Sequence, residues 1–146
     1  MRGFCGIGIV GVKTPLNVGT LWRSAYAMGA DYIFTAGRRY PHQASDTVKA
    51  WRHTPYFEFE SGEDMLKHLP RGVLTVGIEQ HRRSKPLSRL VHPERACYIL
   101  GAEDVGIPTY VLERCHVVVE IPAIYCLNVA VAGSIVLYDR GAKLGT

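Results

Sequence analysis

The chain has 146 residues, of which 47% are hydrophobic and 21% charged, a composition typical of one globular domain and unlike that of disordered or fibrous chains. No apolar run approaches ~20 residues, so we expect no membrane span, and the first residues lead into strand-like sequence without a signal peptide. The formal net charge of +4 favours a polyanionic partner without identifying one.

Strand and helix signals alternate through the first half of the chain. Residues 4–12 are rich in Ile, Val and Gly and predict a buried strand. Apolar residues at helical spacing predict a helix over 18–28, with Asn17 as its N-cap and Gly29 just after its C-terminal end. The remaining elements predicted in this half are strands over 32–36 and 56–59 and a helix that Ser61 opens and that ends near residue 69.

The same alternation continues in the second half. Compact apolar segments predict strands over 73–78, 96–100 and 117–121, and a helix that starts near Pro108 and continues through 110–114. A closing helix is predicted over 128–140, with three apolar residues on one face: Val131, Ile135 and Tyr138. Strands separated by helices predict a mostly parallel sheet with helices on both faces, and therefore a single α/β domain over 1–146.

Three glycines in the first predicted strand match the dinucleotide-binding pattern G-x-G-x-x-G at Gly6, Gly8 and Gly11. That pattern binds a pyrophosphate only when the glycines lie in the turn between a strand and a helix. Here we expect them inside the strand, as small residues packed under a helix. A nicotinamide oxidoreductase, which only this misplaced glycine pattern supports, is therefore a distant alternative. The near match to a phosphate-binding loop has Lys13 out of position and is a chance match.

Four cysteines, Cys5, Cys97, Cys115 and Cys126, are spread along the chain without a C-x-x-C pair. In a chain without an export signal they predict reduced thiols, packed mostly like small hydrophobic side chains. We therefore expect a cytoplasmic protein with no metal site.

Basic residues concentrate in two segments. The first contains Arg38, Arg39, Lys49 and Arg52, interleaved with Tyr40 and Trp51, and the second contains Arg82, Arg83, Lys85 and Arg89. Basic and aromatic residues together suit phosphate contacts and base stacking on RNA. A solvated surface loop explains either segment equally well.

Three strand-to-helix junctions combine glycine or proline with polar side chains, where α/β proteins commonly bind ligands. Asn17 and Arg23 lie in the first, Glu103 in the second and Asn128 in the third. Each has a plain structural explanation by itself, as a helix cap, an ion-pair partner or a solvated acid.

Taken together and in order, these junctions resemble the signature motifs of the SpoU/TrmH branch of the SPOUT RNA methyltransferases. The pattern N-x-G-x-x-x-R matches at Asn17, Gly19 and Arg23. The pattern L-G-x-E-x-x-G-[IL]-P matches residues 100–108, and I-P followed by L-N-V matches within 121–129. The resemblance covers essentially the whole chain.

This resemblance implies a fold with a deep trefoil knot near the C-terminus and a homodimer with its active site at the subunit interface. It also implies transfer of a methyl group from S-adenosylmethionine to a ribose 2′-hydroxyl of tRNA or rRNA. The length is similar to that of short family members that consist of the catalytic domain alone. A base-methylating SPOUT enzyme, or an RNA-binding protein that keeps the fold without catalysis, are the alternatives.

The resemblance also implies site residues. Catalytic roles fall to Arg23, Asn17, Glu103 and Asn128, with Arg23 linked to activation of the 2′-hydroxyl. The expected cofactor-binding residues are Ile78, Leu100, Gly101, Glu103, Gly106, Ile121, Pro122, Cys126 and Leu127. The expected RNA-binding residues are Arg23, Arg38, Arg39, Lys49 and Arg52. The third motif differs from the family pattern, because Cys126 stands where relatives usually have serine and Ala130 where they often have a polar residue.

Overall fold

The computed structural model describes residues 3–11, 14–37 and 50–145. Its sheet has seven strands in the order β3-β2-β1-β6-β4-β7-β5, and every pairing between neighbouring strands is parallel. The strands are β1 Phe4–Val10, β2 Tyr32–Ala36, β3 Tyr56–Phe59, β4 Leu74–Ile78, β5 Lys85–Pro86, β6 Arg95–Gly101 and β7 Val117–Glu120. This arrangement confirms the predicted parallel α/β fold.

Helices cover both faces of the sheet. They are α1 Pro15–Ala27, α2 Gly62–Lys67, α3 Thr109–Leu112 and α4 Val129–Leu144, with 3-10 turns at Ala50–Arg52 and Leu87–Arg89. Strand side chains alternate between two cores, since Tyr98 and Leu100 join the core under α1 and α4 while Cys97 and Ile99 join the core under α2 and α3. The prediction of helices on both faces is therefore confirmed.

The start of α1 differs from the prediction. The helix begins at Pro15 with Thr14 as its N-cap, so Asn17 is the third helical residue and not the cap. Proline at the first helical position has φ already set for a helix, and its missing N–H has no partner to lose there. The side chain of Asn17 is thereby available for contacts outside α1. The predicted Gly29 terminus is confirmed, with φ of 78° directly after the C-cap.

The glycines of β1 are placed differently from the prediction. A Cβ on Gly6 would lie 2.0 Å from the ring of Tyr32, and a Cβ on Gly8 would lie 2.3 Å from the carbonyl of Phe34. The prediction that they pack under a helix is wrong, because they make room for aromatic side chains of the neighbouring strand. Gly11 lies just past the strand, which ends at Val10.

One strand and the end of one helix were not predicted. The short edge strand β5 is absent from the predicted elements, and α4 extends to Leu144, four residues beyond the predicted end. Within the described residues, no helix combines the length and the apolar character needed to cross a membrane. The trefoil knot stays a prediction.

Close packing between α1 and α4 aligns their N-terminal ends. The Ser134 hydroxyl donates to Ser24 Oγ at 2.8 Å, which joins the two helices directly. At Gly133, an added Cβ would lie 2.6 Å from a methyl group of Leu21 and 3.1 Å from one of Leu100, so α4 lies very close to α1 and the sheet. The two helix N-termini therefore hold a fixed relative position.

A buried polar cluster fixes the C-terminal half of α4. His92, whose side chain is fully buried, lies 2.6 Å from the Tyr98 hydroxyl through Nδ1 and 2.7 Å from Asp139 Oδ2 through Nε2. Arg140 donates to the same hydroxyl at 3.0 Å, so the Tyr98 oxygen accepts there and its proton is directed to Nδ1 of His92. In the neutral imidazole that burial favours, Nδ1 accepts this proton and Nε2 donates to Asp139.

This cluster makes stability depend on pH. Burial lowers the pKa of His92 below its ordinary 6.5, although the hydrogen bond and charge of Asp139 act in the opposite direction. The unfolded chain consequently takes up the proton at higher pH than the folded chain, so the free energy of unfolding falls as the pH drops below 6.5. We expect urea unfolding to show this loss, and a His92→Gln variant to show a shallower pH dependence. Equal pH dependence in both proteins would contradict the assignment.

Candidate functional site

The carboxyl ends of β4, β6 and β7 meet at one edge of the sheet, and the segments that follow them line a cavity of about 440 Å³. Parallel strands place their carboxyl ends together, which is where open α/β sheets bind ligands. The lining includes every residue predicted to bind a cofactor except Pro122, namely Ile78, Leu100, Gly101, Glu103, Gly106, Ile121, Cys126 and Leu127. Their binding role stays a prediction.

A chain of side-chain hydrogen bonds joins the three predicted motifs beside this cavity. Asn17 Nδ2 donates to Glu103 Oε1, across 86 residues of sequence. Asn128 Nδ2 donates to Asn17 Oδ1 at 2.9 Å, across 111 residues. The structure therefore brings Asn17, Glu103 and Asn128 into one contiguous group, although Asn17 is nearly buried and Glu103 is exposed at the cavity.

The helix cap of α4 fixes the direction of these bonds. Asn128 is the N-cap, and its Oδ1 accepts from the backbone N–H groups of Ala130 at 2.9 Å and Val131 at 3.2 Å. Its Nδ2 group must then point away from the helix, where it donates to the oxygen of Asn17. The remaining NH₂ group of Asn17 is left to donate to the Glu103 carboxylate, its best available acceptor.

The loop that carries Glu103 has a tightly folded backbone. A Cβ at Gly101 would lie 2.1 Å from the carbonyl carbon of Gly106, so only glycine permits this turn. Gly106 itself has φ of 70°, a conformation that favours glycine, and its N–H donates to the Ala102 carbonyl at 2.8 Å. The glycines of the second motif thus shape the loop on one wall of the cavity.

Glu79 braces this loop and was missed by the sequence analysis. Its Oε2 accepts from the Ile107 N–H at 2.8 Å, and its backbone N–H donates to the Val119 carbonyl at 2.9 Å. Its position directly after the predicted strand 73–78 was the signal that could have found it. Other lining residues missed from sequence are Gln80, His81, Glu120 and Tyr125.

The predicted RNA-binding residues are not gathered at the cavity. Arg23 lies on the exposed face of α1, six residues after Asn17, and is outside the cavity lining. Arg52 is exposed at the end of a 3-10 turn. Arg38, Arg39 and Lys49 lie outside the described residues.

The cysteines pack as predicted, with three buried and Cys126 exposed at the cavity. Burial raises the pKa of the Cys97 thiol to about 12 and that of the Cys115 thiol to about 11. Both therefore stay protonated near neutral pH and are poor nucleophiles. In the described part of the chain, no group of three or more His, Cys, Asp or Glu side chains is arranged to hold a metal ion.

Comparison with known proteins gives consistent matches. The model of the SpoU rRNA Methylase family matches residues 6–138. The mouse tRNA (guanosine(18)-2'-O)-methyltransferase TARBP1 is 29% identical over 149 residues, a match that covers 92% of this chain. This chain spans only 9% of the length of that mouse protein.

Solved structures share the fold over nearly the whole chain. An AdoMet-bound rRNA methyltransferase from Sinorhizobium meliloti superposes with a TM-score of 0.87 at 22% identity, covering 99% of this chain and 58% of that one. A structure reported as giving insights into the 2-OH methylation of C/U34 on tRNA superposes with a TM-score of 0.83 at 23% identity, covering 99% of both chains.

The bond between Asn17 and Glu103 predicts energetic coupling between two distant parts of the sequence. A hydrogen bond to a charged acceptor contributes about 1.5–3 kcal/mol. In a double-mutant cycle with Asn17→Ala and Glu103→Ala, we expect the two losses in free energy of unfolding to be non-additive by more than about 0.5 kcal/mol. Glu120→Ala, which removes another cavity carboxylate, serves as the control and should be additive with Asn17→Ala. Additivity in both cycles would contradict the bond.

Proposed function

The chain belongs to the SpoU rRNA methylase family, and from that premise we propose that it transfers a methyl group from S-adenosylmethionine to a ribose 2′-hydroxyl of RNA. The observation that carries the proposal is the hydrogen-bonded chain Glu103–Asn17–Asn128. It connects one residue from each family motif beside a cavity of the size that small ligands occupy, roughly 300–1,000 Å³.

The cavity has the chemistry that S-adenosylmethionine requires. Its apolar lining, which includes Ile78, Leu100 and Leu127, suits a flat purine ring, and the carboxylates of Glu79 and Glu103 suit hydroxyl or ammonium donors. Gly101 and Gly106, which approach each other closely, both line the cavity. Since neither has a side chain, they present loop backbone to a bound ligand. When bound there, S-adenosylmethionine supplies an electrophilic methyl group on a sulfonium.

The residues of this chain would position the acceptor hydroxyl and stabilise the negative charge that develops on its oxygen. Asn17 holds Glu103 at the cavity while Asn128 holds Asn17, so these side chains are ordered before RNA binds. A guanidinium group stays protonated in proteins, so Arg23 is unsuited to act as a general base. We assign it to gripping a phosphate and stabilising the alkoxide that develops as the 2′-hydroxyl loses its proton.

The proposed substrate is tRNA or, as the second choice, rRNA. The mouse relative is a tRNA methyltransferase by name, and the S. meliloti structure is an rRNA methyltransferase. A cytoplasmic location is part of the proposal, supported by the four free thiols, which a reducing compartment keeps unpaired.

A homodimer is also part of the proposal. Val131, Ile135 and Tyr138 share one face of α4, as the sequence predicted, and this face is exposed, with Tyr138 70% exposed. Leu16 adds an exposed apolar side chain on α1, the helix packed beside α4. Contiguous exposed apolar side chains mark interaction surfaces, and a second copy of the chain is the partner that the resemblance implies.

Labelled S-adenosylmethionine tests the reaction directly. We expect the purified chain to transfer the labelled methyl group to total RNA from cells that lack the gene, at the position where the 2′-O-methyl mark is missing. Digestion to nucleosides should place the label on ribose. Label on a base would favour a base-methylating enzyme, and RNA binding without transfer would favour the noncatalytic alternative.

Arg23→Lys tests the assigned role within the same assay. Lysine keeps the charge but loses the planar fork that grips phosphate with two bonds, so nearly all methyl transfer should disappear. Calorimetry should find the affinity for S-adenosylmethionine almost unchanged, because Arg23 lies outside the cavity lining. Cofactor binding weakened as much as transfer would contradict this role.

Placing a charge in the α4 face tests the dimer. We expect Ile135→Glu to convert the protein to a monomer in sedimentation equilibrium, because an unpaired carboxylate is costly to bury in an interface. Phe57→Glu, at an exposed side chain of β3 that contacts Tyr32 in the core on the other face of the sheet, is the control and should stay dimeric. A dimeric Ile135→Glu variant would exclude this face as the interface.

A further inference from the structure

An exposed pair of stacked rings joins the last turn of α1 to the segment after Ala50, outside the site described above. The rings of Tyr26 and His53 have centroids 4.7 Å apart and are inclined by only 15°. Tyr26 is 41% exposed and His53 is also exposed. Neither residue lines the cavity, and neither belongs to the three family motifs.

The pair is preformed by the backbone around His53. The N–H groups of His53 and Thr54 both donate to the Ala50 carbonyl at 2.8 Å, which closes a tight turn. Trp22 Nε1 then donates to the Thr54 carbonyl at 3.0 Å and ties this turn to α1. Because the turn is held by these bonds and the two rings already stack on each other, a ligand that stacks on them would lose little entropy in ordering them.

The location relates the pair to Arg23. Tyr26 follows Arg23 by three residues, which places it one turn along α1 on the same side, about 4.5 Å further along the helix axis. Arg52, the neighbour of His53 in sequence, is exposed within the same turn. Two cationic side chains therefore adjoin an exposed aromatic surface, the combination that binds single-stranded nucleic acid.

The pair is also separate from the proposed dimer face. Ser24 contacts α4 through Ser134, and Tyr26 lies two residues further, roughly 200° around the helix. The rings are thus on the side of α1 that faces away from α4.

We propose that Tyr26 and His53 form a stacking platform for a nucleobase of the RNA, close to the nucleotide whose ribose Arg23 engages. This inference rests on the proposed function and adds to it a base-binding surface. Every nucleobase has a π face, so the platform provides affinity and orientation with little sequence preference.

Fluorescence quenching of 2-aminopurine tests the platform. The probe is a single-stranded oligoadenylate of about 12 nucleotides with one 2-aminopurine. Wild-type protein should quench it on binding, and Tyr26→Ala should lose the quenching and bind roughly 5- to 150-fold more weakly. Tyr26→Phe keeps the ring and should behave like wild type. Phe57→Ala, which removes an exposed aromatic ring from β3, is the matched control. It should bind the probe and quench its fluorescence as the wild type does.

An abasic oligonucleotide of equal charge separates base stacking from phosphate binding. Wild type and Tyr26→Ala should bind it equally, because the platform contacts only the base.

His53→Ala provides a second variant, with reduced quenching expected, should Tyr26→Ala fail to fold. Unchanged quenching in both alanine variants, or a shift of a folded Tyr26→Ala variant from dimer to monomer, would overturn the proposal. If the wild-type protein quenches the probe but transfers no methyl group, the proposed function is contradicted while the stacking platform is still supported.

Discussion

The side-chain amide of Asn17 has one acceptor and one donor group, and the site depends on both being engaged. The backbone at the start of α4 fixes the direction: it occupies the Asn128 oxygen, which turns the Asn128 NH₂ group toward Asn17 and the Asn17 NH₂ group toward Glu103. Three segments far apart in sequence thus share one chain of hydrogen bonds. Because Asn17 is nearly buried, leaving either end without a partner would be costly.

The rest of the fold serves to bring these groups within reach. The parallel sheet places the carboxyl ends of β4, β6 and β7 together, and the close contact of Gly133 with Leu21 sets α4 against α1. Glu79, which also lines the cavity, accepts from the backbone N–H of Ile107 and so braces the loop that carries Glu103. The packing of α1 against α4 therefore positions Asn128 for its bond to Asn17, and the bracing of the loop positions Glu103 for its bond to Asn17.

Sequence patterns predicted much of this arrangement, and the failures have physical causes. Most strands and the start of α4 near Asn128 were predicted correctly, because both depend on local sequence. Asn17 was wrongly assigned as a cap, since local sequence does not reveal its partners 86 and 111 residues away. The contact of Gly6 with Tyr32 depends on which strands become neighbours, and β5, with two residues, is too short to show a period. The shared apolar face of α4 was predicted, but not that it would be exposed.

Hydrogen exchange of side-chain amide groups measures the central interaction most directly. In wild-type protein, NMR should show one NH₂ proton of Asn17 and one of Asn128 protected from exchange with solvent, because each group donates one hydrogen bond within the protein. Glu103→Ala removes the acceptor of Asn17, so we expect faster exchange at Asn17 and a shift of the Asn128 signals, although Asn128 does not bond to Glu103. Asn17 and Asn128 signals that remain unchanged in Glu103→Ala would contradict a continuous chain through Asn17.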